Sequence, residues 1–235
     1  MASSGEEWWS TFKTHASGTY VNQYMVVDFK NFVPGAALTP GTLWVVEEIP
    51  GLVAGGDQTA TLARGYWPSY NVPYYAEVYQ RSGYKEVFKP SAALPLYDGG
   101  GDEYTIGAPR AKLFRRDNGK VTDLQGFKDI LRYANYSDPY AISSSGTVNY
   151  GAALCMRGDL GEGGKGGAGG CYDTKVTSSK LFAKLTCEAV SGPSSTASSP
   201  ESALPPFAWR PSDTNHLGLP AKYDFPFIKI VAKAL

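Results

Sequence analysis

Thr42-Leu-Trp-Val-Val-Glu-Glu-Ile49 is a nearly continuous apolar run, and it predicts a buried β-strand. A second strand is predicted upstream at Tyr24-Met-Val-Val-Asp-Phe29. Between them, Val33-Pro-Gly and Thr39-Pro-Gly-Thr are turn signals, because proline and glycine adopt the backbone angles that tight turns require. Together these stretches predict a buried antiparallel pair.

The middle of the chain alternates between helix and strand signals. Short helices are predicted at 57–64 and 75–83, the second ended by a glycine at its C-cap. Ala111-Lys-Leu-Phe-Arg-Arg116 alternates apolar and polar residues, as a half-buried strand does. The strongest helix signal runs from Thr122, a plausible N-cap, to Tyr133. Its apolar face would comprise Leu124, Phe127, Ile130 and Leu131.

The C-terminal part is richer in glycine, serine and proline. Residues 141–170 are predicted to be a flexible surface loop; their glycine run lacks the Ser/Thr after Lys165 that a phosphate-binding loop needs. Residues 172–190 predict a strand followed by a helix, or two strands, and 191–206 a Ser/Pro-rich connector. Phe225–Ala232 predicts a closing strand. The fold class is therefore α+β with antiparallel sheet, and 1–235 is predicted to be a single domain.

Composition excludes several classes of protein. The 235 residues have a formal net charge of +0, 43% hydrophobic residues and 19% charged residues. The apolar content argues against wholesale disorder, and the absence of a basic block argues against a nucleic-acid partner. No apolar run approaches the ~20 residues of a membrane span. No basic segment followed by an apolar stretch opens the sequence, so a signal peptide is not predicted at this terminus.

The sequence offers no evident metal or cofactor site. His15 and His216 are far apart in sequence, and the three cysteines lack the spacing of zinc ligands. Cys155 and Cys171 bracket the glycine-rich loop and could close a disulfide, which would leave Cys187 as an odd thiol. No metal and no cofactor are therefore expected.

An aromatic run, Tyr66-Trp-Pro-Ser-Tyr-Asn-Val-Pro-Tyr-Tyr75, surrounds a single asparagine. The two prolines restrict the backbone on both sides of Asn71. Asn71 could present a fixed amide to a pocket, or it could satisfy local backbone groups as asparagine often does in turns. The run alone leaves both interpretations open.

Several ordered motifs together make the chain resemble the phospholipase B-like family. They cover nearly the whole chain from Trp8 onward. They include Asn22-Gln-Tyr-Met-Val-Val-Asp28, the aromatic run, Ala108-Pro-Arg-Ala-Lys112, Gly119-Lys-Val-Thr-Asp123 and Gly170-Cys-Tyr-Asp-Thr-Lys-Val176.

The resemblance implies a fold and a chemistry. The family has the N-terminal-nucleophile hydrolase fold, so the chain would be a partial αββα sandwich. Self-cleavage of a precursor frees an N-terminal cysteine, whose thiol is the nucleophile and whose α-amino group is the base. The substrate is a fatty-acyl ester bond of a phospholipid, or an amide. Asn71 matches an asparagine that would donate to the oxyanion, and Arg110 matches a pocket arginine.

The chain also departs from the family pattern in one respect. Relatives carry the nucleophilic cysteine upstream of the segment that matches Trp9, whereas the first cysteine here is Cys155. The expectation is a chain that is inactive alone and lacks an N-terminal part of the same precursor. The alternative is a non-catalytic lipid- or acyl-binding module that retains the pocket. A lysosomal or secreted family also favours glycosylation of the sequon Asn135-Tyr-Ser137.

Overall fold

The computed structural model describes residues 2–69, 72–87, 109–141, 153–161, 167–200, 203–210 and 215–233. The chain divides into two compact units, Met1–Ala108 and Pro109–Leu235. Each unit combines helices with antiparallel sheet. The predicted α+β class is confirmed, while the assignment of 1–235 to a single domain stays a prediction.

The first unit contains a three-stranded antiparallel sheet. Its strands are β1 (Gln23–Val27), β2 (Leu43–Ile49) and β3 (Leu52–Asp57), with β2 in the centre. The predicted antiparallel pair is confirmed in β1 and β2. Strand β3 was not predicted, because the Gly55-Gly56 pair gives it little intrinsic preference for extended structure. The β2–β3 turn contains Gly51 at φ +77°, a left-handed angle that glycine adopts without a steric penalty.

A helix covers one face of this sheet. Helix α1 (Gly5–His15) begins at Ser4, whose side chain accepts a hydrogen bond from the Glu7 N–H. The Trp9 ring packs against the Trp44 ring of β2 at 5.6 Å between centroids. Gly55 makes this approach possible, since a Cβ there would lie 2.8 Å from Trp9 Nε1.

Three short helices follow β3, namely α2 (Thr59–Leu62), α3 (Ala76–Arg81) and α4 (Tyr84–Val87). The helices predicted at 57–64 and 75–83 are thus confirmed, both shorter than expected. Gly83 has φ +83° just beyond α3, as expected for a glycine that terminates a helix.

The second unit opens with a helix where a strand was predicted. Residues Pro109–Asp117 form α5, so the strand prediction for 111–116 was wrong. The alternation was too short to decide, and Ala, Leu, Lys and Arg all favour helix. Pro109 lies in the first turn of the helix, where its missing N–H costs nothing.

The strongest helix prediction is confirmed with a different cap. Helix α6 spans Leu124–Leu131, and its N-cap is Asp123, whose carboxylate accepts from the Gly126 N–H at 2.7 Å. Thr122 is therefore not the cap. The expected apolar face is only partly buried, because Ile130 is buried while Phe127 is exposed.

A second three-stranded antiparallel sheet has the order β4–β5–β8. Its strands are β4 (Thr174–Val176), β5 (Thr186–Val190) and β8 (Ile228–Val231), which confirms the predicted closing strand. Helix α7 (Ser179–Phe182) lies between β4 and β5, so 172–190 is a strand, one helical turn and another strand. The short strands β6 (Phe207–Ala208) and β7 (Lys222–Tyr223) pair separately.

Parts of the predicted loop are ordered by local contacts. Gly158–Leu160 forms a 3-10 turn, and Arg157 pairs with Gly170 across the base of the glycine-rich stretch. Cys155 and Cys171 are joined by a disulfide with 5.0 Å between their Cα atoms, and Cys187 is a free, half-buried thiol. Residues 142–152 and 162–166 of the predicted loop lie outside the described residues.

Candidate active site

A buried carboxylate holds the downstream end of the aromatic run. Glu47 lies in β2, the central strand, and is only 4% exposed. Its Oε1 accepts from the Tyr74 N–H at 2.7 Å, and its Oε2 accepts from the Tyr75 N–H at 2.9 Å. Both oxygens of this buried carboxyl group are thus used by backbone donors, and buried groups are costly to leave unpaired, so this end of the run is firmly fixed.

The upstream end of the run is tied to the same strand pair. Gln23 of β1 donates to Glu47 Oε1 at 2.7 Å and accepts from Trp67 Nε1 at 3.2 Å. The rings of Trp67 and Tyr74 meet edge to face at 4.6 Å between centroids. Residues 67 and 74 are therefore neighbours, and both are held against the β1–β2 pair. We call Gln23 and Glu47 the Gln–Glu clamp.

The two tyrosines of the run add further anchors. The Tyr75 hydroxyl donates to the Val45 carbonyl at 2.7 Å, and the Tyr74 hydroxyl donates to Gln58 Oε1 at 2.9 Å. Burial raises the pKa of the Tyr75 hydroxyl, which therefore remains a neutral donor at physiological pH. The clamp and these anchors hold the described ends of the loop against the sheet.

The structure does not test the pairing of the two predicted site residues. Asn71 lies between Trp67 and Tyr74 in the sequence but outside the described residues. Arg110 is described and partly buried; it lies in the first turn of α5 in the second unit, rather than at the start of a strand. The active-site roles of Asn71 and Arg110 remain predictions.

A paired ionic cluster occupies the second unit. Arg116 donates to both oxygens of Asp117, at 2.9 and 2.7 Å, and lies 2.7 Å from Asp138 Oδ2. The Tyr133 hydroxyl donates to the same Asp138 oxygen at 2.5 Å. Burial would raise the pKa of Asp138, but the hydrogen bonds from Tyr133, the Tyr140 N–H and Arg116 outweigh it, so the pKa lies below its ordinary value.

This ionic cluster borders a cavity of about 600 Å³. Asp117, Lys120, Tyr133 and Asn135 contribute to the lining. Asp117 already accepts from Arg116 and Lys120, and the Arg116 bond is the main reason why the pKa of Asp117 is lowered. The carboxylates are thus engaged by cations, an arrangement that stabilises structure rather than one poised for proton transfer.

Two buried arginines organise the serine-rich segment that was predicted as a Ser/Pro-rich connector. Ser194, Ser195, Ser198 and Ser199 are all buried. The guanidinium of Arg132, at 0% exposure, donates to the Gly192 carbonyl at 2.7 Å and to Thr174 Oγ1 at 3.2 Å. Arg157 donates to the Ser194 carbonyl and forms a bidentate pair with Asp159. The segment folds inward because its carbonyls and hydroxyls satisfy these donors.

Arg132 is an unusual buried cation. Among the described residues, its hydrogen-bond acceptors are neutral and include Ser198 Oγ at 3.2 Å and Cys171 Sγ at 3.4 Å. Burial lowers the pKa of Arg132 to about 10, with the nearby charges of Asp173 and Arg157 acting in opposite directions. The group therefore remains charged at physiological pH.

Other classes of site receive no support from the described parts of the chain. No group of three or more His, Cys, Asp or Glu side chains there could hold a metal ion. None of the helices in those ranges is both long enough and apolar enough to cross a bilayer.

Sequence reasoning missed the Gln–Glu clamp. A signal was present, since Glu47 and Glu48 interrupt an otherwise apolar strand, and ionisable residues in a central strand are buried only when they have partners. The sequence could not identify those partners, because the donors are backbone groups 27 and 28 residues away.

Comparison with known proteins assigns the chain to a family. The Phospholipase B family model matches residues 1–230. Phospholipase B of Crotalus adamanteus is 43% identical over 230 residues, and Phospholipase B-like 1 of Homo sapiens is 44% identical over 230 residues. Phospholipase B-like protein B of Dictyostelium discoideum is 35% identical over 235 residues. The chain belongs to the phospholipase B family.

The match covers a much larger share of this chain than of its relatives. It includes 97% of this chain but only 38% of each of those three relatives. The chain thus spans about two fifths of the length of the curated relatives that it matches.

Proposed function

We propose that this chain is the C-terminal part of a phospholipase B-like hydrolase. The substrate would be a fatty-acyl ester bond of a phospholipid or an amide bond. Family membership over residues 1–230 carries this proposal. The α+β architecture, with α1 packed on an antiparallel sheet, is compatible with a share of an αββα sandwich.

In the proposed reaction, a cysteine thiol attacks the acyl carbonyl and its own α-amino group takes the proton. Asn71 would donate its side-chain N–H to the oxyanion of the tetrahedral intermediate. Arg110 would supply positive charge that orients polar groups and lowers the pKa of a nearby thiol. The observation favouring Asn71 is the Gln–Glu clamp, since an oxyanion donor must be held in place before the reaction begins.

The nucleophile itself would come from outside these 235 residues. Cys155 and Cys171 are bonded to each other, and Cys187 lies within the central strand of the second sheet. None of the three is therefore a suitable N-terminal nucleophile. We infer that the chain alone does not hydrolyse acyl bonds, and that it requires the N-terminal part of the same precursor.

The test compares the chain with and without that part. The 235-residue chain would be assayed on phospholipid vesicles and N-acyl amides, first alone and then co-expressed with the segment encoded upstream. We expect turnover only in the second case. Asn71→Ala should lower kcat by about 10²–10³-fold, as removal of an oxyanion donor does. Asn22→Ala, elsewhere in the first unit, is the matched control and should leave kcat unchanged.

Two results would contradict the proposal. Turnover by the chain alone that survives Asn71→Ala would place the chemistry elsewhere. Acyl-lipid binding without turnover in the co-expressed protein would favour the alternative, a non-catalytic binding module.

We also propose that the full protein is lysosomal or secreted and glycosylated at Asn135. Asn135 is exposed and lies just beyond α6, which ends at Leu131, and its Oδ1 accepts from the Ser137 N–H at 3.0 Å. An exposed sequon in a turn is accessible to the glycosylation machinery, which supports this proposal.

A further inference from the structure

A buried guanidinium touches the disulfide of the second unit. Arg132, at 0% exposure, is the C-cap of α6, and its Nη1 lies 3.4 Å from Cys171 Sγ. The Thr174 hydroxyl also accepts from Nη1, at 3.2 Å. Sulfur is only a weak hydrogen-bond acceptor while it carries no charge. The cation is therefore aimed at a group that stabilises it little as long as the disulfide is closed.

The Arg132 guanidinium has no ion-paired carboxylate within the described ranges of the chain. Its acceptors there are the Gly192 carbonyl, the hydroxyls of Thr174 and Ser198, and the Cys171 sulfur. Taking a charge out of water is costly, and neutral acceptors return only part of that cost. An anion at the position of the Cys171 sulfur would supply the counter-charge.

The other charges near this sulfur are weakened by water or by pairing. Burial is the main cause of the lowered pKa of Arg132, while Asp173 and Arg157 act on it in opposite directions. Asp173 is exposed, so solvent screens its charge. Arg157 donates to both oxygens of Asp159. The charge that bears on the Cys171 sulfur is therefore mainly that of Arg132.

The two sulfurs differ in access, and the backbone keeps them adjacent. Cys155 is 0% exposed, whereas Cys171 is half-buried. The Cys171 N–H donates to the Met156 carbonyl at 3.2 Å, and the Gly158 N–H donates to the Gly169 carbonyl at 3.0 Å. These bonds do not depend on the sulfur–sulfur bond. Opening the disulfide would leave the two sulfurs side by side and able to close again.

We propose that Cys155–Cys171 is an exchangeable disulfide, opened by a small dithiol, and that Arg132 holds Cys171 as a thiolate in the open form. A thiolate of the dithiol attacks Cys171 Sγ, the accessible sulfur, and the bond to Cys155 breaks. Cys155 leaves as a thiolate and takes a proton from water.

The second step completes the exchange. The other thiol of the reductant gives its proton to water, attacks the mixed disulfide and expels Cys171 as a thiolate. The protein disulfide has then gained the two electrons that the dithiol has lost, and one proton is released overall. Arg132 assists this step because a stabilised thiolate is a better leaving group.

A protein with a single thiol tests the inference directly. In Cys155→Ser combined with Cys187→Ser, Cys171 is the sole remaining cysteine, and its ionisation is followed by the ultraviolet absorbance of the thiolate. We expect half of Cys171 to be ionised at least one pH unit below the roughly 8.5 of an ordinary thiol. In denaturing urea, where Arg132 no longer contacts the sulfur, the midpoint should return to about 8.5. A folded-state midpoint at or above the urea value would overturn the inference.

Two further substitutions in this background identify the responsible group. Arg132→Met removes the cation and should raise the midpoint by about one pH unit or more. Thr174→Val is the matched control, because it removes another acceptor of the same Nη1 and keeps the charge. It should retain the low midpoint. A folded Arg132→Met variant with an unchanged midpoint would refute the role of Arg132. If thermal unfolding shows that this variant does not fold, the comparison of folded and urea-denatured Cys171 decides.

The exchange itself is measured on Cys187→Ser with its disulfide intact. The protein would be equilibrated with a dithiol and its oxidised form, and the free thiols trapped by alkylation. Since one proton is released, the ratio of open to closed protein should rise about tenfold per pH unit above the Cys171 midpoint and level off below it. A ratio that does not change with pH across that range would contradict the proposal, as would a folded protein that no dithiol opens.

Discussion

The Glu47 carboxylate in the first unit's central strand accepts the Tyr74 backbone N–H at 2.7 Å. The bond links strand β2 to the aromatic run, and Tyr75 and Gln23 complete the shell around the same carboxylate. The sheet thereby fixes Trp67, Tyr74 and Tyr75, which flank the proposed oxyanion donor Asn71 in the sequence.

Replacing Glu47 should destabilise the first unit. Glu47→Ala leaves the Tyr74 and Tyr75 N–H groups without their acceptor, and we expect a loss of about 3 kcal/mol in the free energy of unfolding. Glu47→Gln retains one acceptor oxygen and should lose less. Urea denaturation followed by tryptophan fluorescence measures both, and exposed Glu77→Gln should change the unfolding free energy by less than about 0.5 kcal/mol. A Glu47→Ala protein as stable as the Glu77 control would mean that the clamp does not hold the loop.

Asp138 should contribute to acid sensitivity. Its pKa in the folded protein lies below the ordinary value of 3.8, so the unfolded chain binds more protons in the acidic range. The resulting stabilisation is present above that ordinary value and is lost as the pH falls through the folded-state pKa. We expect Asp138→Asn to lose about 2 kcal/mol at neutral pH, because Arg116 and the Tyr133 hydroxyl lose a charged acceptor while Arg116 keeps Asp117, and to show a smaller further loss on acidification.

Urea midpoints at about pH 6 and about pH 3 would measure this difference. Asp129→Asn is the control, because the Asp129 carboxylate accepts from Gln125 on the same helix rather than from Arg116. A pH dependence that is identical in the wild type and Asp138→Asn would show that Asp138 is not the group responsible.

The disulfide should stabilise the second unit. Cys155 and Cys171 are 16 residues apart, and closing a loop of this size stabilises a fold by about 3 kcal/mol through the entropy of the unfolded chain. Reduction, or Cys155→Ser combined with Cys171→Ser, should lower the denaturation midpoint accordingly. Cys187→Ser should respond to reductant as the wild type does. Insensitivity of the wild-type midpoint to reductant would count against a structural disulfide.

Asn135 should carry a glycan when the chain is expressed through a secretory pathway. Asn135→Gln and Ser137→Ala should each remove one glycan, seen as a loss of mass and of sensitivity to a glycosidase. Asn118→Gln is the control, since Asn118 is followed by Gly119 and Lys120 rather than by a sequon. The same mass for the wild type and Asn135→Gln would rule out modification at this position.

The elements that were predicted correctly have long hydrophobic patterns or clear turn signals at their ends. The apolar run of β2, the turns before it and the periodic helix α6 are examples, because local preference and burial agree there. Helix α5 was predicted wrongly, since six alternating residues fit either structure. Strand β3 was missed because its glycines give little local preference for a strand, while the reason for Gly55, the close approach of Trp9, is a tertiary contact that local patterns do not record.

The candidate site was predictable only in part. Asn71 and Arg110 were selected by resemblance, and composition alone would have assigned both to ordinary roles. The groups that hold the loop in place, Gln23 and Glu47, act through contacts far apart in the sequence. The packing of the Trp209 ring against Phe207 and Tyr223 depends likewise on pairing between β6 and β7, which no short motif specifies.

The serine-rich segment around Arg132 has a consequence for how the chain can be divided. Its hydroxyls and carbonyls surround a buried guanidinium much as water surrounds an ion in solution, and they form a permanent hydration shell made of protein. The segment resembles a linker by composition, yet its polar groups solvate the Arg132 guanidinium inside the fold. Cutting the chain at Ser191 would therefore not release an independent domain. It would leave the Arg132 guanidinium buried without the acceptors that the segment supplies.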